Sequence, residues 1–413
     1  MAETRAEFQT STDNDGSGFT ALSGSAKALI FAGLMATSMG QTVLFSILGP
    51  LGRELALSEL QVGAIIAVSA LTVVLVSPWW GRRSDRVGRK PVFVSSVIGF
   101  SVTTLLFSAL LGLGLAGFYV GWAAFAVLVA GRVLYALVIA GGQPSAAGFI
   151  ADTTAPEDRA GAMALVGGAF GVGSILGPGL AFMLAPAGVL VPLFAVAFVG
   201  GVIALLCIFF LPESPRLRDA DADKPALRLL DRRIWPILLG VLGVFVAVAM
   251  VQQTLAFFVQ DLGGLGVAET AQRTGAYFAL FAAANLAAVI AVARARPAPA
   301  KAVAMGGALA TVGVSLLLFA PITMPALAAS SAIMGVGFGA LIPGLQGGAS
   351  VAVGPDEQGA AGGFVAAAMA AGYIIGPLAG PATYMAAPAV THVAAMICVG
   401  LGAGLAAYWI RRA

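Results

Sequence analysis

Of 413 residues, 59% are hydrophobic and only 10% charged; soluble domains carry about a quarter charged residues, so a soluble fold is excluded. A formal charge of +3 and a single histidine leave no nucleic-acid-binding surface, and Cys207 and Cys398 lie inside apolar runs as small buried residues, so neither a disulfide, a metal nor a cofactor is expected. What remains is an all-α integral membrane protein, with room for about a dozen spans of roughly 20 residues each.

In chain order, residues 1–26 are polar and lack a basic stretch leading to a cleavage site, and are expected to form a disordered cytoplasmic tail. Apolar runs bounded by charges or Pro/Gly turns follow at 27–49, 60–80, 91–115, 121–150, 160–184, 187–211, 234–259, 272–292, 302–321, 325–352, 359–384 and 388–410, which predicts twelve membrane helices. Basic residues collect in cytoplasmic loops. With the N-terminus inside, 19 of the 22 Lys and Arg fall on that side, Arg53 and Arg273 fall outside, and Arg132 lies within a span. Both termini are therefore expected in the cytoplasm. The polar stretch 212–233 is the expected linker between an N-terminal six-helix bundle, 27–211, and a C-terminal one, 234–413.

The two halves repeat each other. An offset of 199 carries Pro144 to Pro343, Gly148 to Gly347, Pro156 to Pro355, Gly173 to Gly372, Gly177 to Gly376 and Pro178 to Pro377. An offset of 212 carries Gln41-Thr42 to Gln253-Thr254, Phe45 to Phe257 and Gly63 to Gly275. Parallel repeats of this kind enclose a ligand between them.

Gly81-Arg82-Arg83-Ser84-Asp85-Arg86-Val87-Gly88-Arg89-Lys90 is wedged between the second and third apolar runs. Such a basic cluster cannot lie in hydrocarbon, so it predicts a short cytoplasmic turn. Asp85 can accept and Arg86, Arg89 and Lys90 can donate hydrogen bonds, which suits a latch. In the turn after helix 4, Asp152 and Arg159 form a candidate second latch. The 8–9 loop, Arg294 to Lys301, keeps the basic charge but has neither acid nor glycine, so the gate is asymmetric.

Arg132 is the one ionisable side chain deep inside a span, and burying an unpaired guanidinium is costly enough to turn it toward a watery interior. Continued helical spacing puts Arg132, Tyr135, Ile139 and Gln143 on one face. The bland alternative is an arginine bonded to carbonyls exposed at a kink. Amides in hydrocarbon face a cavity or another helix, which makes Gln41, Thr42, Phe45, Gln253, Phe257 and Gln260 substrate-site candidates. Tyr135, Tyr277, Asn285, Gln346 and Tyr373 stand behind them. Gly173, Gly177 and Pro178, repeated as Gly372, Gly376 and Pro377, predict close helix packing with a bend. No Asp or Glu lies mid-span, which disfavours a strongly cationic ligand, and the proton carrier is not evident.

The spacing Gly-x-x-Ser-Asp-Arg-x-Gly-Arg-Lys resembles the signature between helices 2 and 3 of major facilitator superfamily transporters, although Arg83 stands where members usually carry an apolar residue. Gly173 to Gly179 resembles the helix 5 motif of that family's antiporters, and Arg132 the helix 4 arginine of its exporters. The resemblance runs from Lys27 to Arg412 and is closest to twelve-helix drug:proton antiporters of the tetracycline-resistance type. It implies a monomeric, non-enzymatic exporter in the bacterial inner membrane, working by alternating access. A small amphipathic drug or metabolite, neutral, zwitterionic or anionic, would leave in exchange for protons. It also implies that Asp85 docks on the N-terminus of helix 11, near Gln358 and Gly359, and that Arg132 serves coupling or substrate binding. Pro212-Glu213-Ser214-Pro215-Arg216 and Gln252-Gln253 resemble sugar porters, making a sugar facilitator or symporter the runner-up. A membrane receptor would need an output domain larger than the tail or linker.

Overall fold

The computed structural model describes residues 23–154, 159–213, 228–319, 323–354 and 357–412. Most of the expected tail (1–26) and linker (212–233) lies outside these residues. Among the described residues twelve helices are long and apolar enough to cross a membrane. They are TM1 (Gly24–Glu54), TM2 (Glu59–Val87), TM3 (Arg89–Leu115), TM4 in two segments (Gly121–Ile139 and Gly142–Asp152), TM5 (Arg159–Leu184) and TM6 (Val191–Phe210). The second half holds TM7 (Trp235–Gly263), TM8 (Val267–Ala295), TM9 (Pro299–Phe319), TM10 (Met324–Val351), TM11 (Gln358–Ala386) and TM12 (Pro388–Ile410). An even number of spans puts both chain ends on one face, called here the terminal face; the other is the far face.

Local chemistry sets the helix ends. Ser58 and Gln61 form a reciprocal capping box at the start of TM2, and Pro at the first or second position opens TM6, TM7, TM10 and TM12, where its missing N–H costs nothing. The segment from Gly81 differs from the expected turn. Gly81 to Val87 are the last residues of TM2, which runs on as helix beyond the apolar stretch, and the chain reverses at Gly88 alone. Gly88 has φ +109°, a conformation that needs glycine. Glu213, the described acid of the sugar-porter-like segment, accepts the Lys90 N–H at 3.1 Å. It satisfies one of the open amides at the start of TM3.

Packing follows the repeat. TM1 packs on TM5 and TM6, TM2 and TM3 on TM4, and TM3 on TM6. Six helices later the same pairs recur as TM7 on TM11 and TM12, TM8 and TM9 on TM10, and TM9 on TM12. The fold is two pseudo-symmetric six-helix bundles. Within each, the expected glycines bring backbones together. Cβ atoms on Gly173 and Gly177 would stand 2.5 and 2.6 Å from the Met35 and Met39 carbonyl oxygens of TM1. Their counterparts at Gly372 and Gly376 would stand 2.5 Å from Phe245 Cβ and 2.7 Å from the Val246 oxygen of TM7. The motif does the same packing in both halves.

The bundles meet where TM2 lies on TM11 and TM5 on TM8. A Cβ at Gly63 would stand 1.8 Å from the Pro377 oxygen, and one at Gly275 2.7 Å from the Pro178 oxygen. Gly63/Gly275 and Pro178/Pro377 are the pairs found by the two offsets, so the seams are symmetry mates, each a glycine of one half against a Gly-Pro carbonyl of the other.

TM4 is interrupted at Ala140 and Gly141. Pro144 cannot donate to the Ala140 carbonyl; Ser77 Oγ of TM2, which donates to the Val73 oxygen of its own helix at 2.7 Å, approaches that carbonyl at 3.3 Å, while Trp80 Nε1 donates to the Leu137 oxygen at 2.7 Å. One turn deeper, Ser69 Oγ donates to the Arg132 oxygen at 3.4 Å.

Candidate functional site

A cavity of about 170 Å³ lies between the halves. TM1 contributes Thr42 and Phe45, TM5 Ser174 and Pro178, TM7 Phe245, Val248 and Gln252, and TM8 Phe278, Phe281, Ala282 and Asn285, while TM10 and TM11 close it with Phe338, Ile342 and Tyr373. No lining residue is charged. The hydroxyls are spent locally, Thr42 donating to the Ser38 oxygen at 3.0 Å and Ser174 to that of Gly171 at 2.7 Å. The Gln252 Oε1 is shielded from solvent and has no hydrogen-bond partner.

Of the sequence candidates, Thr42, Phe45, Asn285, Tyr373 and Pro178 reach this cavity. The others are elsewhere. Gln253 is buried beside the lining Gln252, its Oε1 unpartnered. Tyr277 is buried outside the lining, and Gln346 is exposed on TM10. Sequence reasoning missed Gln252, Ser174, Phe245, Phe338 and the aromatic stripe of TM8. Phe278, Phe281, Ala282 and Asn285 follow i, i+3, i+4, i+7 spacing, a signal that was available.

Arg132 is buried, 4% exposed, and its guanidinium is partly engaged, with Nε left without a hydrogen-bond partner. Nη2 donates to Gln41 Oε1 at 2.9 Å, and the guanidinium lies 4.1 Å from the Tyr135 ring centre and 5.7 Å from that of Phe107. The hydrogen bond from Arg132 runs to the Gln41 side chain of TM1 and not to a carbonyl at the TM4 interruption, which differs from the kink-capping alternative. Gln143 lies beyond the interruption and is exposed. The helical angle carried through from Arg132 does not hold across a break.

At the far face Arg53 holds the two halves together. Its guanidinium donates to Asp261 at 2.5 and 3.0 Å, to Glu59 at 2.8 and 3.1 Å and to the Gln260 side-chain oxygen at 3.1 Å. Tyr384 of TM11 donates to Asp261 at 2.6 Å, and the Phe257 ring centre lies 5.0 Å from the Arg53 guanidinium. Gln260 and Phe257, expected at the substrate, belong to this clasp.

At the terminal face the ion pairs among the described residues stay within one half. Arg89 joins Asp152 at the end of TM4 at 2.8 Å, Asp85 and, at 2.8 Å, Ser84 Oγ. Gly148 leaves room for the guanidinium, since a Cβ there would stand 2.5 Å from Arg89 Cζ. Gly81 faces Pro144 of TM4, and Arg86 is exposed. The side chain of Arg159 lies outside the described residues. Asp85 thus pairs with Arg89 rather than with the N-terminus of TM11. That N-terminus has an acid of its own: Glu357, the residue before TM11, accepts from Arg233 at 2.8 and 2.9 Å. Asp231 shares the same guanidinium. Hydrogen bonds from Arg233 lower the Asp231 carboxyl to about 2 and hold Glu357 below the usual carboxylate range.

The family profile described as Major Facilitator Superfamily matches residues 30–377. The class C tetracycline resistance protein of Escherichia coli is 30% identical over 331 residues, 78% of this chain and 80% of that protein. The class B protein of Escherichia coli is 35% identical over 190 residues, covering 44% of this chain and 43% of its own length. Multidrug resistance protein 2 of Bacillus subtilis is 26% identical over 191 residues, covering 46% and 45%. With these last two the match spans less than half of the relative. In fold, the chain is similar to a bacterial homolog of the human lysosomal transporter Spinster in an inward-facing, unoccupied conformation. That likeness has a TM-score of 0.70 at 17% identity and covers 94% of this chain and 96% of that one.

Proposed function

The chain belongs to the major facilitator superfamily of membrane transporters, and we propose that it exports a small amphipathic drug or metabolite, neutral, zwitterionic or anionic, across the bacterial inner membrane in exchange for protons. The observation that carries this reading is the cavity between the halves, lined by aromatic faces and by the polar side chains of Thr42, Ser174, Gln252, Asn285 and Tyr373, with no charged residue in the lining. Of the two features behind the sugar reading, Glu213 caps TM3 and Gln252 lines the cavity among aromatic faces; a polyhydroxylated sugar would need more hydrogen-bonding partners than these.

With the basic terminal face in the cytoplasm, the Arg53 clasp closes the outer side and the cavity is served from within. In the alternate state the clasp parts, and Asp85 swings to the start of TM11 to close the inner side. Arg132 is the coupling residue in this scheme. Its partner Gln41 neighbours Thr42 of the cavity wall, so a ligand pressing on TM1 alters the polar contacts of the guanidinium.

The test is transport into inside-out vesicles with and without a pH gradient. Gradient-dependent uptake of an amphipathic compound is expected, and gradient-independent equilibration of a sugar would replace this reading. Arg132→Ala should nearly abolish uptake, with Arg132→Lys keeping part of it through the retained charge. Normal uptake by the alanine variant would remove Arg132 from coupling.

A further inference from the structure

We infer that Gln252 sets the charge class of the substrate: its side-chain oxygen receives an N–H or O–H of a flat, neutral aromatic molecule, and the absence of a carboxylate there keeps lipophilic cations out. This rests on the transport reading above.

Gln252 borders the main cavity and also a smaller one walled by Val248, Val251, Leu255, Phe278 and Met334. Val248, Phe278, Phe281 and Phe338 also line both, and Gln252 is the polar side chain of that shared wall. Its Oε1 is buried with no donor, a state that costs free energy until a donor arrives. Other polar groups fill that need poorly. Thr42 and Ser174 have committed their hydroxyl protons to their own helices, so toward a ligand they act only as acceptors. Asn285 and Tyr373 flank the same space from TM8 and TM11, and the Gln252 side chain is hydrogen-bonded with that of Tyr373 while its Oε1 stays without a partner. The polar recognition therefore sits in the C-terminal half, against a wall of Phe45 and Pro178 from the N-terminal half.

Charge is handled by omission. Arg132, the nearest candidate counter-ion for an anion, is occupied by Gln41 and stacked on Tyr135, outside the lining. A cation entering the cavity would find ring faces, whose attraction offsets only part of the desolvation of an unpaired charge. A single carboxylate in the wall shared by the two cavities would supply the rest.

The experiment uses the full-length protein in inside-out vesicles with three fluorescent probes: neutral aminomethylcoumarin, its dimethylamino analogue, which has no donor, and the planar cation ethidium. The native protein is expected to move the amino compound, to move the dimethylamino analogue several-fold less, and to leave ethidium. Gln252→Leu should erase the preference between the two coumarins without admitting ethidium. Gln252→Glu should raise ethidium uptake by about tenfold, the size of one well-placed charge interaction. If Gln252→Glu fails to reach the membrane, Asn285→Asp places the same charge across the cavity and is judged by the same outcome.

Equal movement of both coumarins by the native protein, or an acidic variant that folds and moves coumarin but not ethidium, overturns the inference while leaving transport intact. Native protein that moves ethidium as readily as coumarin overturns it as well. Native protein that moves no compound overturns the transport reading and the inference with it.

Discussion

The two faces of the molecule handle their charges in opposite ways. At the far face a single arginine, Arg53, reaches from TM1 to Asp261 and Gln260 of the other half while holding Glu59 of its own. At the terminal face the described residues hold two arginine ion-pair clusters, each within one half. Arg89 ties TM2, TM3 and TM4 together within the first half, and Arg233 ties the entry of TM7 to that of TM11 within the second. Ion pairs between halves resist their separation; ion pairs within a half only stiffen it. Among the described residues the far face is thus the end where an ion pair joins the halves, and in the transport scheme proposed above it is the closed end.

The most forceful way to break this contrast is steric. Gly63→Leu should push TM2 off the Pro377 carbonyl of TM11. Overpacking a tight contact costs about 1–3 kcal/mol, so the closed far face should lose roughly tenfold in population. Transport should largely fail, and a cavity cysteine, Phe45→Cys, should label much faster from the far side. Gly275→Leu should do the same at the mate seam. Unchanged labelling in both would mean the seams do not gate.

Removing the clasp charges should act in the same direction with a smaller effect. Arg53 and Asp261 are partly exposed, and such a pair contributes about 1 kcal/mol or less. Arg53→Gln or Asp261→Asn should raise far-side labelling several-fold, and the double variant should add little to either single one. Full additivity would dissolve the clasp into independent side chains. Asp85→Asn sharpens the contrast from the other face. Its carboxylate is 57% exposed on Arg89, so thermal stability should barely change, whereas far-side labelling should fall and export slow. Unaltered transport would reduce Asp85 to a topology signal.

The smallest effect concerns pH. Asp231 and Glu357 have folded pKa values below their ordinary ones, Asp231 at about 2, because Arg233 donates to both. A depressed carboxyl contributes its stabilisation above the ordinary carboxylate range and loses it as pH falls through the folded value. The melting difference between native protein and Arg233→Gln should therefore stay constant through the neutral range and shrink only in strong acid. A difference that changes near neutrality would point to another titrating group.

The spans were legible because hydrocarbon demands long apolar runs, and the repeat was legible as residue offsets. Neither could say that Gly63 meets Pro377 while Gly275 meets Pro178, since contact across the symmetry axis leaves no trace in spacing. The choice between Gln252 and Gln253 was beyond reach for a different reason. TM7 is buried on nearly every side, so no polar face marks its phase, and a shift of one residue separates the cavity wall from the packed interior. Gly81 to Val87 differs from the expected turn because a charged segment need not leave the helix. A helix can carry charges past the hydrocarbon, and only Gly88 had to leave it.

TM2 touches the opposite half at Gly63 and grips the TM4 backbone three times, through Ser69, Ser77 and Trp80. A helix fastened to its neighbour at three heights cannot tilt alone. When the seam at Gly63 opens, TM2 works as a lever with its short arm at the seam and its long arm on the interrupted part of TM4, and the carbonyl it grips at Ser69 belongs to Arg132. In the alternating-access scheme proposed above, leverage rather than any through-space field is the route by which movement at the far face would reach the buried guanidinium.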